Sequence, residues 1–314
     1  MRYIFIFIAF LILAIAPFYG QIDLPFSELL DNSSMHYQVF WELRLPRVLL
    51  AFFTGGVLGL AGLVFQTVFR NPMSTPFTLG VASGATLFTA IAIVFGVALL
   101  YISVFAFFGS LLTILILFFI SSRLKDINTT SLLLVGIALS FFYSACLMVL
   151  FFISDLSQSY EIVRFTMGSL DTIGFNDVYF MLFASLFILV VVKLYRKEIK
   201  LLLVSYEFAQ LKGIDVKKTN YILLFVVSIS VGICVSITGP IGFIGLIVPH
   251  ILKILYKKSS EKLIYPIFFY SGVFLVLCDL ISRNTGANSD IPIGVVTSFL
   301  GAPFFIYLIL SRKK

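Results

Sequence analysis

The chain alternates between long apolar runs and short polar segments. Ten of the apolar runs have roughly the length that crosses a bilayer as a helix. They lie at approximately 3–19, 47–66, 78–98, 101–122, 131–153, 176–195, 219–238, 241–256, 264–282 and 293–311. The pattern predicts an all-α, polytopic membrane protein with about ten transmembrane helices in a single domain, 1–314. Gly239-Pro240 and Pro249 also indicate that the eighth run is broken or partly re-entrant.

The composition excludes a soluble protein. Of 314 residues, 60% are hydrophobic and 12% charged, and the mean hydropathy is +1.09; a soluble domain carries about 25% charged residues. Three scattered cysteines and two histidines form no metal-binding pattern, and no phosphate-binding loop, zinc-protease or serine-hydrolase motif occurs. We therefore expect no enzymatic activity and no cofactor in this chain, so ATP and Mg²⁺, if used, are bound by a partner.

The distribution of basic residues predicts the orientation of the chain. With the N-terminus inside, 18 of the 22 lysines and arginines fall on the cytoplasmic side, which is the asymmetry of the positive-inside rule. An even number of spans then places both termini in the cytoplasm. The net charge of +7 is thereby explained by topology, and no basic face with interleaved aromatics suggests nucleic acid.

Four arginines remain on the predicted external side: Arg44, Arg47, Arg164 and Arg283. They are either interfacial anchors that reach the lipid headgroups or a cationic surface for an acidic partner. Asp279 is the one carboxylate inside an apolar run. It is either a functional intramembrane group or the local partner of Arg283, four residues further on the same helical face.

Two further patterns concern packing and the longest cytoplasmic loop. Glycines in the second run, at Gly55-x-x-x-Gly59 and Gly62, predict close approach of another helix. The Gly/Pro-containing stretch 70–76 must be buried or line an aqueous path. In the loop 196–218, Glu207 to Leu211 reads as a short amphipathic helix that ends at Gly213. Such a helix lies in the interface or docks into a partner.

A set of ordered motifs carries a family resemblance from about residue 40 to 310. The motifs are Arg44-Leu45-Pro46-Arg47; the glycine-rich run ending at Gln66; Arg70-Asn71-Pro72-Met73-Ser74-Thr75-Pro76; Leu79-Gly80-x-x-Ser83-Gly84-Ala85; Ala209-x-Leu211-x-Gly213-Ile214; Gly242-Phe243-Ile244-Gly245-Leu246-Ile247-Val248-Pro249-His250; Asp279-x-x-x-Arg283; and Ile291-Pro292-Ile293-Gly294 through Gly301-Ala302-Pro303. Together they resemble the FecCD-type permeases of ABC importers for ferric siderophores, haem and cobalamin. Thr75 and Lys253 depart from that pattern, which more often has an acidic residue and an arginine.

The resemblance implies a type II ABC importer permease in the bacterial inner membrane. Its implied partners are a second permease copy or a paralogue, two ATPase subunits and an extracytoplasmic binding protein, with membrane lipid around them. Three sets of residues match the family's functional positions. The docking arginines are Arg44, Arg47 and Arg283. The ATPase coupling helix comprises Glu207, Phe208, Ala209, Leu211, Gly213 and Ile214. The cytoplasmic gate comprises Asn128, Thr129, Thr130 and Ser131.

The expected cargo is a ferric siderophore, because that is the family's commonest substrate. Cobalamin or haem import by the same architecture stays open. The alternative from a different class is a secondary transporter driven by an ion gradient, with Asp279 as its coupling carboxylate.

Overall fold

The computed structural model describes residues 2–20, 25–29, 31–32, 34–123, 129–256, 260–285 and 290–311. Every regular element in these ranges is helical. The helices are α1 (Arg2–Ile15), α2 (Met35–Gln38), α3 (Leu45–Val68), α4 (Val81–Val94), α5 (Leu99–Arg123), α6 (Thr129–Ile153), α7 (Leu156–Met167), α8 (Asn176–Leu194), α9 (Arg196–Val204), α10 (Tyr206–Leu211), α11 (Val216–Thr238), α12 (Ile244–Tyr256), α13 (Ile264–Thr285) and α14 (Ile293–Ser311). Single 3₁₀ turns cover Ala16–Phe18, Phe26–Glu28 and Ser260–Lys262, and a π-helical stretch covers Val39–Arg44.

The apolar helices follow the predicted runs closely. Within the described ranges, six are long enough to cross a membrane and four are shorter. Each of these ten overlaps one predicted run, so the polytopic all-α fold is confirmed. The number that cross the membrane, and the direction of crossing, stay predictions. We therefore call the two ends of the helices the predicted external end, which carries Arg47, and the predicted cytoplasmic end, which carries Arg70.

Helix α3 lies at the centre of the fold, packed against α13, α8, α12 and α11. The glycines of α3 allow the neighbouring helices to approach it closely. A Cβ added at Gly55 would lie 2.4 Å from the Ser271 carbonyl oxygen, and one at Gly62 would lie 2.0 Å from that of Gly245. Both distances are too short for any side chain, so the predicted close packing through small residues is confirmed at α13 and α12.

The helix that contains α3 begins earlier than the sequence pattern predicted. Residues 35–68 form one helical stretch, with the π-helical turn just before Pro46. Proline cannot donate the hydrogen bond that the carbonyl four residues earlier would accept. That carbonyl, of Glu42, accepts instead from the backbone N–H of Gly174 at 2.7 Å. A donor from outside the helix thus lets the helix continue through Pro46.

The predicted break after α3 is a run of turns over 69–80. Ser74, Thr75 and Pro76 are buried, although the backbone there forms no helix. Thr78 closes the turn, because its hydroxyl donates to the Thr75 carbonyl at 2.8 Å and accepts from the Thr75 N–H at 3.0 Å. The expectation that this irregular backbone is buried is therefore confirmed at these three residues.

Gly239-Pro240 separates the seventh apolar run, which lies in α11, from the eighth, which forms α12. Helix α11 ends at Thr238, and Gly239 adopts a left-handed φ of 66° that favours glycine. Helix α12 continues through Pro249, which leaves the Gly245 carbonyl without its helical donor. The side-chain amide of Gln66, from α3, donates to that carbonyl at 2.9 Å. The break therefore lies before α12, and Pro249 does not divide the helix.

Candidate functional site

A cluster of ion pairs joins five segments at the predicted external end. Arg47, near the start of α3, donates to three carboxylates: its Nε to Asp279 Oδ1 at 2.8 Å, and its Nη1 to Asp171 Oδ1 at 2.8 Å and Asp290 Oδ2 at 2.7 Å. Arg164 adds a contact to Asp171 at 3.4 Å. Because these residues come from α3, α7, α13 and two connecting segments, the cluster ties those segments together.

The carboxylates of this cluster differ in their access to solvent. The Asp279 side chain is fully buried, whereas those of Asp171 and Asp290 are 49% and 34% exposed. The Arg47 guanidinium lies between them. The two outer carboxylates can therefore be reached from solvent, whereas the buried one cannot.

The buried Asp279 lies between two guanidinium groups. Arg283 Nε is 3.1 Å from Asp279 Oδ2, an ion pair whose angles are not those of a hydrogen bond. The local pairing of Asp279 with Arg283, one of the two readings of the sequence, is therefore present. The second partner, Arg47, lies 232 positions away in the chain and was not predicted. Removing one partner of such a buried group costs about 3–5 kcal/mol.

Arg44 and Arg283 are directed into the protein. Arg44 Nη1 donates to the Phe18 carbonyl at 3.0 Å, and Arg283 Nη2 donates to the Ala16 carbonyl at 3.1 Å. Both carbonyls belong to the last turn of the first helical segment, whose final C=O groups have no helical donor. Only 7% of Arg44 and 5% of Arg283 are exposed. In this chain these two arginines therefore cap a helix end and lie away from the surface, and their docking role stays a prediction.

The loop 196–218 is mostly helical. Helix α9 is followed by Ser205, whose hydroxyl accepts from the Phe208 N–H at 2.8 Å and so begins α10. Gly213 has a φ of 82°, and its N–H donates to the backbone carbonyl of Gln210. The predicted short helix with its glycine end is therefore present over Tyr206–Leu211.

Helix α10 has one buried and one exposed side. Ala209 is fully buried, whereas Phe208 and Leu211 are 39% and 85% exposed. The pKa of Glu207 is lowered because its own backbone N–H and the Ser205 hydroxyl donate hydrogen bonds to the carboxylate. An apolar pair on an exposed polar helix is the pattern of a helix that docks into a groove.

A cavity of about 350 Å³ lies between α4, α5, α7 and the end of α11. Thr89, Ser103 and Thr238 contribute hydroxyl groups to its lining, and Glu161 and Arg164 contribute opposite charges. The Thr89 hydroxyl is buried without a hydrogen-bond partner in the described part of the chain. A cavity of this size with several polar groups in its lining can hold water next to α7.

Comparison with known proteins decides the family. The model of the FecCD transport family matches residues 6–311. The hemin transport system permease protein of Yersinia pestis is 34% identical over 306 residues, which cover 94% of this chain and 90% of that protein. A Helicobacter pylori protein named as an iron chelatin transport system permease is 35% identical over 275 residues, which cover 88% and 83%. This chain belongs to the FecCD transport family.

The structural comparison agrees with this FecCD assignment. A transporter described as of the metal-chelate ABC type, in an inward-facing conformation, superposes with a TM-score of 0.86 at 28% identity and covers 97% of this chain and 98% of its own. Other relatives are named as cobalamin and molybdate import permeases. The chain is therefore an ABC importer permease, and the relatives differ in the cargo that they are named for.

The positions that depart from the usual FecCD pattern have partners in the structure. Lys253 donates from Nζ to Gln66 Oε1 at 3.1 Å, so one glutamine side chain links Lys253 to the Gly245 carbonyl. Thr75 contacts Thr78 within the buried turn. A point charge suffices at Lys253 because its partner is a single amide oxygen.

The predicted cytoplasmic gate is only partly within the described ranges. Asn128 lies outside them. Thr129, Thr130 and Ser131 form the first turn of α6. The gate role stays a prediction.

Proposed function

We propose that this permease moves a ferric siderophore across the bacterial inner membrane, together with a second permease copy or paralogue, two ATPase subunits and an extracytoplasmic binding protein. Both termini lie in the cytoplasm in this proposal. ATP and Mg²⁺ are bound by the ATPase subunits. The observation that supports ATPase coupling most directly is the exposed apolar side of α10, Phe208 and Leu211.

The ion cluster supports docking of the binding protein at the opposite end. We propose that a carboxylate of the binding protein replaces Asp171 or Asp290 on Arg47, since these two are exposed while Asp279 is buried. Arg44 and Arg283 then serve docking indirectly, because they hold the neighbouring helix end in place. Asp279, held between two arginines, has the environment of a structural ion and not of a proton carrier.

A pair of variants on α10 tests the ATPase interaction. Leu211→Glu places a charge on the exposed apolar side, and we expect co-purification of the ATPase subunits in detergent to fall at least severalfold. Gln210→Glu adds the same charge about 200° around the helix from Phe208, and co-purification should be retained. Full ATPase stoichiometry with Leu211→Glu would contradict the assigned contact.

The cargo is tested by uptake into proteoliposomes that contain the whole complex. Radiolabelled ferric siderophore, hemin, cobalamin and molybdate are offered in parallel, each with ATP present or absent. ATP-dependent uptake of the ferric siderophore supports the proposal. ATP-dependent uptake of one of the others reassigns the cargo. Uptake that needs an ion gradient and no ATP would overturn the proposal in favour of secondary transport.

A further inference from the structure

Two helix ends meet at the predicted cytoplasmic end of the molecule. Helix α3 ends at Val68 and helix α9 ends at Val204, immediately before α10. The Tyr206 hydroxyl donates to the Val68 carbonyl, and Arg70 Nη2 donates to the Val204 carbonyl at 3.3 Å. Each segment thus supplies the side chain that caps the last residue of the other helix. We call these two residues, Arg70 and Tyr206, the reciprocal cap.

The two capping side chains also contact each other. The guanidinium carbon of Arg70 is 5.6 Å from the centroid of the Tyr206 ring, within the range of a cation–π interaction. The carbonyls of the last helical turn have no donor within the helix, so outside donors there are effective. Burial raises the pKa of Tyr206, which keeps its hydroxyl protonated and able to donate at neutral pH.

The backbone around Arg70 directs its side chain toward α9. Arg70 has a φ of 47°, a left-handed conformation that is uncommon for a residue other than glycine. The Phe69 N–H donates to the Phe65 carbonyl and the Arg70 N–H to the Thr67 carbonyl, which fixes this conformation at the end of α3. The end of α3 therefore positions Arg70, the residue that caps α9.

The opposite end of α3 carries the ion cluster. A 24-residue helix is about 36 Å long, and α3 is buried almost continuously from Thr54 to Val68. If α3 moves as a rigid body, a displacement at Val68 is carried along the helix to Arg47, where Asp171 and Asp290 are bound.

We propose that Arg70 and Tyr206 are positioning residues that fix α10 to the end of α3, so that a displacement of α10 by the ATPase subunits moves α3 and reaches the Arg47 ion cluster. The inference rests on the proposed function, because it assumes that ATPases act on α10. The inference adds the contacts through which a displacement of α10 is passed on to α3. Neither residue need contact an ATPase or the cargo.

The test uses Tyr206→Phe and Arg70→Asn in the complete complex, reconstituted with its ATPases and binding protein. Tyr206→Phe removes only the hydroxyl and keeps the ring under Arg70. Asparagine tolerates the left-handed backbone at position 70. Tyr265→Phe, an exposed tyrosine at the same end, is the matched control. The readouts are ATPase co-purification, basal ATPase rate and the ratio of binding-protein-stimulated to basal rate.

Each variant should keep its ATPases and its basal rate, while the stimulated-to-basal ratio falls about three- to tenfold, the effect of one net hydrogen bond on an equilibrium constant. Tyr265→Phe should match the wild type. An unchanged ratio in both variants overturns the proposal. Loss of the ATPases with Tyr206→Phe also overturns it, because the contact would then only hold α10 folded. If the wild-type complex itself shows no stimulation, the proposed function fails instead.

Discussion

The hydrogen bond between Gln66 and the Gly245 carbonyl gives a prediction that can be tested by a double-mutant cycle. Pro249 has no N–H, so Gln66 Nε2 is the donor that satisfies this carbonyl in α12. Gln66→Leu removes that donor and leaves a buried carbonyl inside the membrane domain. Pro249→Ala restores a backbone N–H four residues after Gly245. The cost of losing Gln66 should therefore depend on whether position 249 is proline.

The magnitude follows from the burial of both groups. Gln66 is 4% exposed, and a buried carbonyl left without a donor costs about 1–3 kcal/mol. The loss of Gln66 Oε1 as an acceptor for Lys253 adds to the cost of Gln66→Leu, but equally in both backgrounds. The difference between the two backgrounds, about 1–3 kcal/mol, thus reports the carbonyl contact alone.

The assay is thermal or denaturant unfolding of the four proteins in one detergent. The entropy of unfolding scales with chain length, so for 314 residues 1 kcal/mol corresponds to about 1.5 °C. Gln66→Leu should therefore lower Tm by about 2–5 °C in the wild type and by clearly less in Pro249→Ala. Lys253→Met is the control, because it removes the other contact of Gln66 and should be additive with Pro249→Ala. If the effects of Gln66→Leu and Pro249→Ala on the free energy of unfolding add within about 0.5 kcal/mol, Gln66 does not take the place of the backbone donor that Pro249 lacks.

Two further predictions concern packing and docking. Gly62→Ala should destabilise the chain by about 1–3 kcal/mol or more, because the new Cβ would lie 2.0 Å from the Gly245 carbonyl oxygen. The control is Gly242→Ala, whose Cβ would meet nothing within 4 Å and which should have the Tm of the wild type. Asp171→Asn with Asp290→Asn should free Arg47 for an outside carboxylate, so we expect severalfold tighter binding-protein affinity by surface plasmon resonance; weaker binding would mean that these aspartates, and not Arg47, face the partner.

The sequence predicts those parts of the fold that depend on local patterns. The apolar runs, the small-residue face of α3, the short α10 helix and the Asp279–Arg283 pair all lie within one turn or one helix, where spacing sets the contacts. The start of helix α7 is also marked by a local pattern. Asp155 accepts from the Gln158 N–H at 2.8 Å and Gln158 Oε1 accepts from the Asp155 N–H at 3.2 Å, a capping box.

The candidate sites depend on pairs that are far apart in the chain. The contacts of Arg47 with Asp279, of Gln66 with Gly245 and of Tyr206 with Val68 span 232, 179 and 138 positions. No periodicity relates such positions, so Arg44 and Arg47 could be recognised as unusual but not assigned partners. The sequence left two interpretations open for Arg44 and Arg283 and indicated neither acceptor, because the carbonyls of Phe18 and Ala16 are backbone atoms that no side-chain pattern reveals.

These long-range contacts share one physical basis. Prolines and helix ends leave backbone carbonyls without donors, and a chain in lipid must satisfy them from within the protein. Gly174 serves the carbonyl freed by Pro46, Gln66 the one freed by Pro249, Tyr206 and Arg70 the ends of α3 and α9, and Arg44 and Arg283 the end of the first helical segment. Five of these six contacts involve α3 or the turns that lead into and out of it. Helix α3 thus carries Arg47 of the ion cluster near one end, and at the other end its last carbonyl accepts from Tyr206 of α10.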